Sequence, residues 1–187
     1  MMFEPFKPFV APEFQVKFAT ETWERNAATA LRRKVFCEEQ GVFAGDDRDA
    51  VDDVAIPLVA VSLLGVAEDE VVGTVRIHAD DHETDVWWGS RLAVEKSYRR
   101  LSAVGAGLIR LAVSSAHARG CRRFLANVQS QNALLFQHMH WHSLGEFKIH
   151  GRPHHRMEAD LNHYPPFHTP ETGFLSLAKL EIGRAHV

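Results

Sequence analysis

The residues with the clearest chemical potential lie in the segment 91–120. A short apolar stretch, Leu92-Ala93-Val94, predicts a strand and leads into a turn with three cations, Lys96, Arg99 and Arg100. A Gly105-Ala106-Gly107 step then opens an amphipathic helix. The first N–H groups of a helix lack backbone partners and lie at the positive end of its dipole, so a glycine-rich helix start suits a phosphate. The same glycines can equally serve a turn or close packing.

The helix after this step must hold the turn against a core. Its apolar positions recur with the helical period and therefore share one face, which comprises Leu108, Leu111, Ala112, Ser115 and Ala116. Gly120 follows at the point where a left-handed residue commonly ends a helix. We therefore predict a strand, a basic turn and a helix as one continuous unit.

The remaining elements alternate between strands and helices. A helix is predicted from Thr22, with Trp23, Ala27, Ala30, Leu31 and Val35 on its apolar side. A further helix is predicted at 132–140. Strands are predicted at 15–20, 58–64, 71–77, 86–94, 123–128, 146–150 and 156–161, with an acidic turn at 68–70. The three successive strands 58–64, 71–77 and 86–94 favour antiparallel pairing. The strands 86–94 and 123–128, which are joined through a helix, favour one parallel pair.

This order predicts an α/β chain of the α+β type: a mixed, mostly antiparallel sheet flanked by helices. We expect an irregular arm at 1–14, one domain at 15–161 and a tail at 162–187 with a short helix at 174–180. The length of 187 residues suits a single core, and 45% hydrophobic residues argue against disorder.

Charge and cysteine content narrow the class of partner. The net charge is -3, so nucleic acid is not a favoured partner, and no run has the length of a membrane helix. Cys37 and Cys121 lie far apart without a CxxC spacing, which indicates free thiols and a cytoplasmic location.

The element order and the segment 91–120 together resemble the GNAT superfamily of acyl-CoA-dependent N-acyltransferases. The family motif, Gln/Arg-x-x-Gly-x-Gly/Ala, is matched by Ser102-Ala103-Val104-Gly105-Ala106-Gly107. Both glycines agree, whereas Ser102 departs from the usual Gln or Arg. Arg99 and Arg100 lie just upstream and could supply the missing cation.

Two further stretches, within an overall match over 15–161, agree with that resemblance. The residues 128–132 and 136–141 are similar to the family's later Asn…Tyr…Gly-Phe segment. The residues 33–41 and the acidic block 47–53 resemble a GNAT subgroup with a VF…EQG…D…D signature. Acyl-homoserine-lactone synthases have a comparable N-terminal pattern.

The resemblance implies a donor site for acyl-CoA. The pyrophosphate would bind the N–H groups of Val104, Gly105, Ala106, Gly107 and Leu108, with Arg99 and Arg100 adding charge. The pantetheine arm would lie along Leu92, Ala93 and Val94, and Asn132 and Phe136 would complete the site. A backbone N–H of that strand would polarise the thioester carbonyl, and the amine would attack directly, without a covalent enzyme intermediate.

Attack requires a neutral amine and therefore a base. Glu39 is the candidate, followed by Glu38, although both can also be surface residues at the end of a helix. The aspartates of 47–53 could attract a cationic amine or form a solvated loop. Phe136 stands where the family commonly has the tyrosine that protonates the thiolate, so water or His138 would replace it.

The expected activity is transfer of an acetyl group from acetyl-CoA to the amine of a small molecule. The alternatives are an acyl-homoserine-lactone-synthase-like enzyme, which would use S-adenosylmethionine, and a non-catalytic acyl-CoA sensor. A homodimer is compatible with the resemblance. The three alternating histidines 138, 140 and 142 would point in different directions on the predicted helix, so no metal is expected. His150, His154 and His155 are placed on the acceptor side or on the surface.

Overall fold

The computed structural model describes residues 9–101 and 103–177, except for the side chains of Arg100 and Leu101. In this part of the chain, eight strands form one sheet with the order β6-β7-β5-β4-β3-β2-β1-β8. Their bounds are β1 Glu13–Phe18, β2 Ile56–Leu64, β3 Ala67–Ala79, β4 Val86–Val94, β5 Arg123–Gln129, β6 Trp141–Ile149, β7 Arg152–Ala159 and β8 Phe174–Leu177.

Three α-helices connect and cover the sheet. They are α1 Thr22–Arg32, α2 Ala103–Ala118 and α3 Ala133–His138. A π-helix, Arg33–Glu39, continues α1, and short 3₁₀ turns occur at Ala50–Asp53, Lys96–Leu101, Ser130–Asn132 and Leu161–His163. No helix of the described residues has the length and hydrophobicity needed to cross a membrane.

The pairing of the strands confirms the predicted fold class. β2, β3 and β4 form an antiparallel meander, and β4 pairs in parallel with β5 after the crossover through α2. The remaining described pairs are antiparallel. A single sheet that is mixed but mostly antiparallel, with helices on its faces, is the α+β arrangement expected from the order of elements.

Helix α2 confirms its predicted apolar face, and Gly120 ends it with a φ of +92°. The helix is also buried beyond that face because the tail covers it. The Phe167 N–H donates to Ser114 O, and His117 Nδ1 lies 2.7 Å from Tyr164 O. The predicted tail helix at 174–180 is wrong over 174–177, where β8 pairs with β1; the rest of it lies outside the described residues.

Two local predictions also require correction. The turn between β2 and β3 is Gly65–Val66, with a φ of +65° at Gly65, and the acidic residues 68–70 already belong to β3. Helix α1 is rotated from the predicted face: Trp23 is 40% exposed while Glu24 is fully buried. Glu24 faces inward because its carboxylate accepts hydrogen bonds from Lys17 Nζ and from the N–H of Glu21 at the start of the helix.

Glycines allow α2 to approach the sheet closely. A Cβ on Gly73 of β3 would lie 2.7 Å from Val104 Cγ1 and 2.8 Å from Leu108 Cδ1. Because both side chains are fully buried, neither can move aside without disturbing its neighbours. We expect Gly73→Ala to lower the free energy of unfolding by about 1–3 kcal/mol, the usual cost of overpacking a core.

Urea denaturation would measure that change, with Gly105→Ala as the matched control. A Cβ on Gly105 would find its nearest neighbour, Val94 Cγ2, at 3.9 Å. The control should therefore keep or slightly raise stability, because alanine favours a helix more than glycine does. Equal stability of the two variants would contradict the close packing of α2 on β3.

Candidate active site

The central feature of the sheet is the separation of β4 from β5. The two strands pair only over four positions, from Val86 with Arg123 to Gly89 with Ala126. Just beyond, a bulge places Arg91 and Leu92 opposite Val75 of β3, and Arg91 takes a φ of +55°. A bulge bends a strand away from its neighbour, so β4 and β5 diverge from this point toward their C-terminal ends.

The gap opens a cavity of about 530 Å³. Residues from both faces of the sheet line it, so the cavity passes between the two strands. The wall on the side of α2 and α3 is apolar and includes Ile109, Ala112, Val113, Phe124, Phe136 and Trp141. The wall on the side of the π-helix is more polar and includes Gln40, Phe43, Arg76, His78, Asp80, Arg152 and His154.

Several predicted donor residues meet at this gap. Leu92, Asn132 and Phe136 line the cavity. Ala93 faces the opposite way, because side chains alternate along a strand, and it is buried in the cluster of Leu31 and Val35. Any contribution of Ala93 to a ligand in the gap is therefore confined to its backbone groups.

The start of α2 narrows the predicted anion site. Since α2 extends from Ala103, the N–H groups of Gly107 and Leu108 already bond to carbonyls four residues earlier. Gly107 is a packing residue, because a Cβ there would lie 3.1 Å from Val16 Cγ2. Val104 and Leu108 are fully buried, whereas Gly105 and Ala106 are half-buried. Within the predicted set, Gly105 and Ala106 are therefore the residues of the first turn that are not fully buried.

Glu39 and Arg99, predicted in different roles, form an ion pair with each other. Arg99 Nη2 lies 2.5 Å from Glu39 Oε2, and Arg99 Nε donates to Val94 O at 2.9 Å. Arg99 is thereby held where β4 leads into α2. Glu39 is not among the residues that line the cavity. Its role as the base stays a prediction, and its observed partner is the guanidinium.

Three aspartates of the acidic block form a network of ion pairs with arginines, while Asp53 of the same block is largely exposed. Asp47 Oδ2 accepts from Arg32 Nε at 2.8 Å and from Arg91 Nε at 3.1 Å. Arg76 Nη1 lies 2.6 Å from Asp49 Oδ1, and Arg32 Nη1 lies 2.7 Å from Asp52 Oδ1. Three arginines thus neutralise the three aspartates 47, 49 and 52.

The network sets the charge states of its members. The hydrogen bond from Arg76 holds the pKa of Asp49 below its ordinary value. The pKa of Asp52 is also lowered, because the hydrogen bonds from Arg32, Asp49 N–H and Arg76 together outweigh desolvation. Both carboxylates therefore stay ionised at neutral pH. The guanidinium of Arg91 also packs over the ring of Phe43, with its Cζ 4.5 Å from the ring centroid. This contact connects the network to the wall of the cavity.

No tyrosine takes the place of the family's usual acid. Phe136 is buried and packs edge-on against Trp141, with ring centroids 5.1 Å apart. His138 ends α3 and is absent from the cavity lining. Among the residues that the structure describes, no group of three or more His, Cys, Asp or Glu is arranged to hold a metal ion.

Three other histidines do line the cavity. His150 packs edge-on against Phe43, with centroids 5.3 Å apart, and His154 Nδ1 lies 2.8 Å from Arg152 O. Burial, together with the charge of Arg76, lowers the pKa of His78, and its Nδ1 has no hydrogen-bond partner in the described part of the chain. The sequence assigns His150, His154 and His155 to the acceptor side or to the surface; of these, His155 does not line the cavity. The sequence does not single out His78 or Arg152.

These features agree with the family comparison. The sequence model of the acetyltransferase (GNAT) family matches residues 23–141, close to two thirds of the chain. The chain therefore belongs to the GNAT acetyltransferase family. It is an acyltransferase, and its donor is an acyl-CoA. No curated protein matches the sequence.

Solved structures share the fold at low sequence identity. A proposed N-acetyltransferase from Lactobacillus plantarum has 24% identity and a TM-score of 0.68, over 78% of this chain and 97% of the other. ElaA of Escherichia coli has 20% identity and a TM-score of 0.64, over 79% and 98%. FeeM, an N-acyl amino acid synthase from uncultured soil microbes, has 14% identity and a TM-score of 0.61, over 81% and 94%.

Proposed function

We propose that the protein transfers an acetyl group from acetyl-CoA to the amine of a small molecule by direct attack. The observation that carries the proposal is the gap between β4 and β5, which opens into a cavity with an apolar wall and a polar wall. A thioester in the gap would meet the acceptor at the bulge of β4. Enclosure between two strands would also keep water away from the thioester.

In this proposal the donor lies along the C-terminal end of β4. Backbone groups of Leu92, Ala93 and Val94 bind the pantetheine arm as an added strand would. The pyrophosphate lies at the first turn of α2, near the half-buried residues Gly105 and Ala106. Arg99 adds positive charge at the rim, and Asn132 and Phe136 border the sulfur end. The same role is predicted for Arg100, whose side chain lies outside the described part of the structure.

The chemistry requires stabilisation of an oxyanion and departure of a thiolate. A backbone N–H at the bulge of β4 would bind the developing charge on the carbonyl oxygen. Thiolate departure does not require an acidic side chain in place of Phe136, since an ordinary thiol has a pKa of about 8.5 and its anion is a fair leaving group.

Glu39→Gln tests which role that residue has. The carboxylate offsets the charge of Arg99, so its removal should strengthen binding of the pyrophosphate. We expect the KM for acetyl-CoA to fall about two- to fivefold, as for an exposed ion pair, with kcat nearly unchanged. Steady-state kinetics at low salt would measure this, with the exposed neighbour variant Glu38→Gln as the control. A fall in kcat of a hundredfold or more would instead identify Glu39 as the base.

The decisive experiment for the function is release of free CoA thiol in the presence of amines. Purified protein with acetyl-CoA and a broad amine panel should release thiol only when an accepted amine is present. A parallel series with longer acyl-CoAs and S-adenosylmethionine tests the acyl-homoserine-lactone-synthase-like alternative. Binding of acetyl-CoA without turnover by any amine would contradict N-acetyl transfer.

A further inference from the structure

The arginines that line the cavity differ in what binds them. Arg76 and Arg91 both have aspartate partners in the acidic network. Arg152 also lines the cavity, yet no carboxylate of residues 9–101 and 103–177 lies within 4.0 Å of its guanidinium. Its Nη2 donates to the backbone carbonyl of Gln40. A guanidinium has five N–H donors in a planar fork, so most of those of Arg152 remain for a ligand.

His154 lies two residues further along β7, and its tautomer is fixed by the backbone. Its Nδ1 lies 2.8 Å from Arg152 O, and a carbonyl oxygen can only accept a hydrogen bond. Nδ1 therefore carries the hydrogen in the neutral ring, which leaves the lone pair on Nε2. Within the described chain no group bonds to Nε2, so His154 lines the cavity with a nitrogen able to accept a proton.

The spacing of these two residues suits one small ligand. Residues two apart on a strand project from the same face, and their Cα atoms are about 7 Å apart. A charge-assisted hydrogen bond of about 2.8 Å from each side chain leaves room for an anionic group and an amine joined through one or two atoms.

We propose that the acceptor is an α-amino acid or a closely similar amine with a carboxylate beside its nitrogen. Arg152 binds the carboxylate, and His154 accepts the amine proton at Nε2. The assignment rests on the proposed N-acetyl transfer, and the experiments distinguish failure of the assignment from failure of that transfer. In this proposal His154 takes the role of base that the sequence predicts for Glu39, which does not line the cavity.

The proton and electron pairs balance in this step. The neutral amine attacks the thioester carbonyl, so that a C–N bond forms and the C–S bond breaks. The electron pair of the C–S bond leaves with sulfur as the CoA thiolate. The surplus proton of the nitrogen passes to His154 Nε2 and from there to the thiolate. The products are an N-acetyl amino acid and free CoA thiol.

The first test compares acceptors with acetyl-CoA as the donor. Each α-amino acid is paired with its α-amide and with the amine that lacks the carboxylate. We expect kcat/KM to favour the acids at least tenfold and Arg152→Gln to raise their KM about 10- to 100-fold without changing that of the amides. Arg152→Lys should keep part of the preference because it keeps the charge. Arg156→Gln is the control, since Arg156 is exposed on β7 and does not line the cavity.

The second test addresses the base. His154→Gln should lower kcat by about 10²- to 10⁴-fold, the usual contribution of general base catalysis, and leave the Kd for acetyl-CoA unchanged. Added imidazole should restore part of kcat. The control His155→Gln removes a neighbouring ring whose Nδ1 bonds to Ser143 Oγ outside the cavity. Thermal unfolding of each variant establishes that it is folded.

The outcomes distinguish an error in the acceptor or the base from an error in the proposed N-acetyl transfer. Equal kcat/KM for acids and amides, or equal effects of Arg152→Gln and Arg156→Gln, would overturn the acceptor assignment. Wild-type kcat in His154→Gln, or loss of kcat in Glu39→Gln instead, would overturn the base. If the enzyme acetylates only amines that have no carboxylate beside the nitrogen, the acceptor assignment is wrong but the proposed N-acetyl transfer stands. Binding of acetyl-CoA without turnover by any amine overturns the proposed function as well.

Discussion

Replacing Gly105 with glutamate is expected to abolish measurable binding of acetyl-CoA while the protein stays folded. A carboxylate in the first turn of α2 would occupy the positive end of the helix and repel the pyrophosphate. Loss of the anion contact together with this repulsion should lower affinity by about a hundredfold or more.

The fold should tolerate the change because the position is open. A Cβ on Gly105 would meet no atom nearer than Val94 Cγ2 at 3.9 Å. Glutamate also has a higher helix propensity than glycine and interacts favourably with the dipole in a first turn. Titration calorimetry with acetyl-CoA would measure affinity, and thermal unfolding would measure stability.

Gly105→Gln is the matched control for Gly105→Glu, because it adds nearly the same volume without the charge. We expect it to bind acetyl-CoA more tightly than Gly105→Glu, and the difference should shrink at high salt. Wild-type affinity in the glutamate variant would show that the pyrophosphate binds elsewhere, and the donor site would then have to be sought away from α2.

The sequence predicts the sheet because its signals are local. The periodicity of α2 and the position of Gly120 define one crossover helix, and a crossover requires a parallel pair. The tail strand β8 carries no such signal, since its four residues become a strand only by pairing with β1. Local pattern likewise cannot distinguish Gly105, which is open, from Gly107, which packs against β1.

The polar side of the cavity is the part that sequence spacing could not supply. Its acidic network joins Asp47 to Arg91, 44 positions apart, and Arg152 contacts Gln40, 112 positions apart. Such contacts arise only in the folded chain, where Asp47 reaches β4 and the end of the π-helix reaches β7. The aspartates of the EQG…D…D segment hold this wall in position through their arginine partners; the roles predicted for the segment in catalysis and amine attraction stay predictions.

Replacing Asp47 with asparagine is expected to lower the free energy of unfolding by about 3–5 kcal/mol. The Asp47 side chain is 1% exposed and binds two arginines through one oxygen. Asparagine keeps the shape, and its carbonyl oxygen can still accept hydrogen bonds, but it removes the negative charge that offsets the two guanidinium groups. Arg32 and Arg91 would then carry excess positive charge in a nearly dry site, and few water molecules could compensate.

Asp53→Asn is the matched control, since Asp53 belongs to the same segment but is 68% exposed in its pair with Arg48. An exposed pair of this kind contributes less than about 1 kcal/mol. Urea denaturation of both variants at neutral pH would measure the difference. If Asp47→Asn costs no more than Asp53→Asn, the arginines do not depend on the buried carboxylate. The wall beside the β4 bulge would then have to be held by the packing of Phe43 and its neighbours alone.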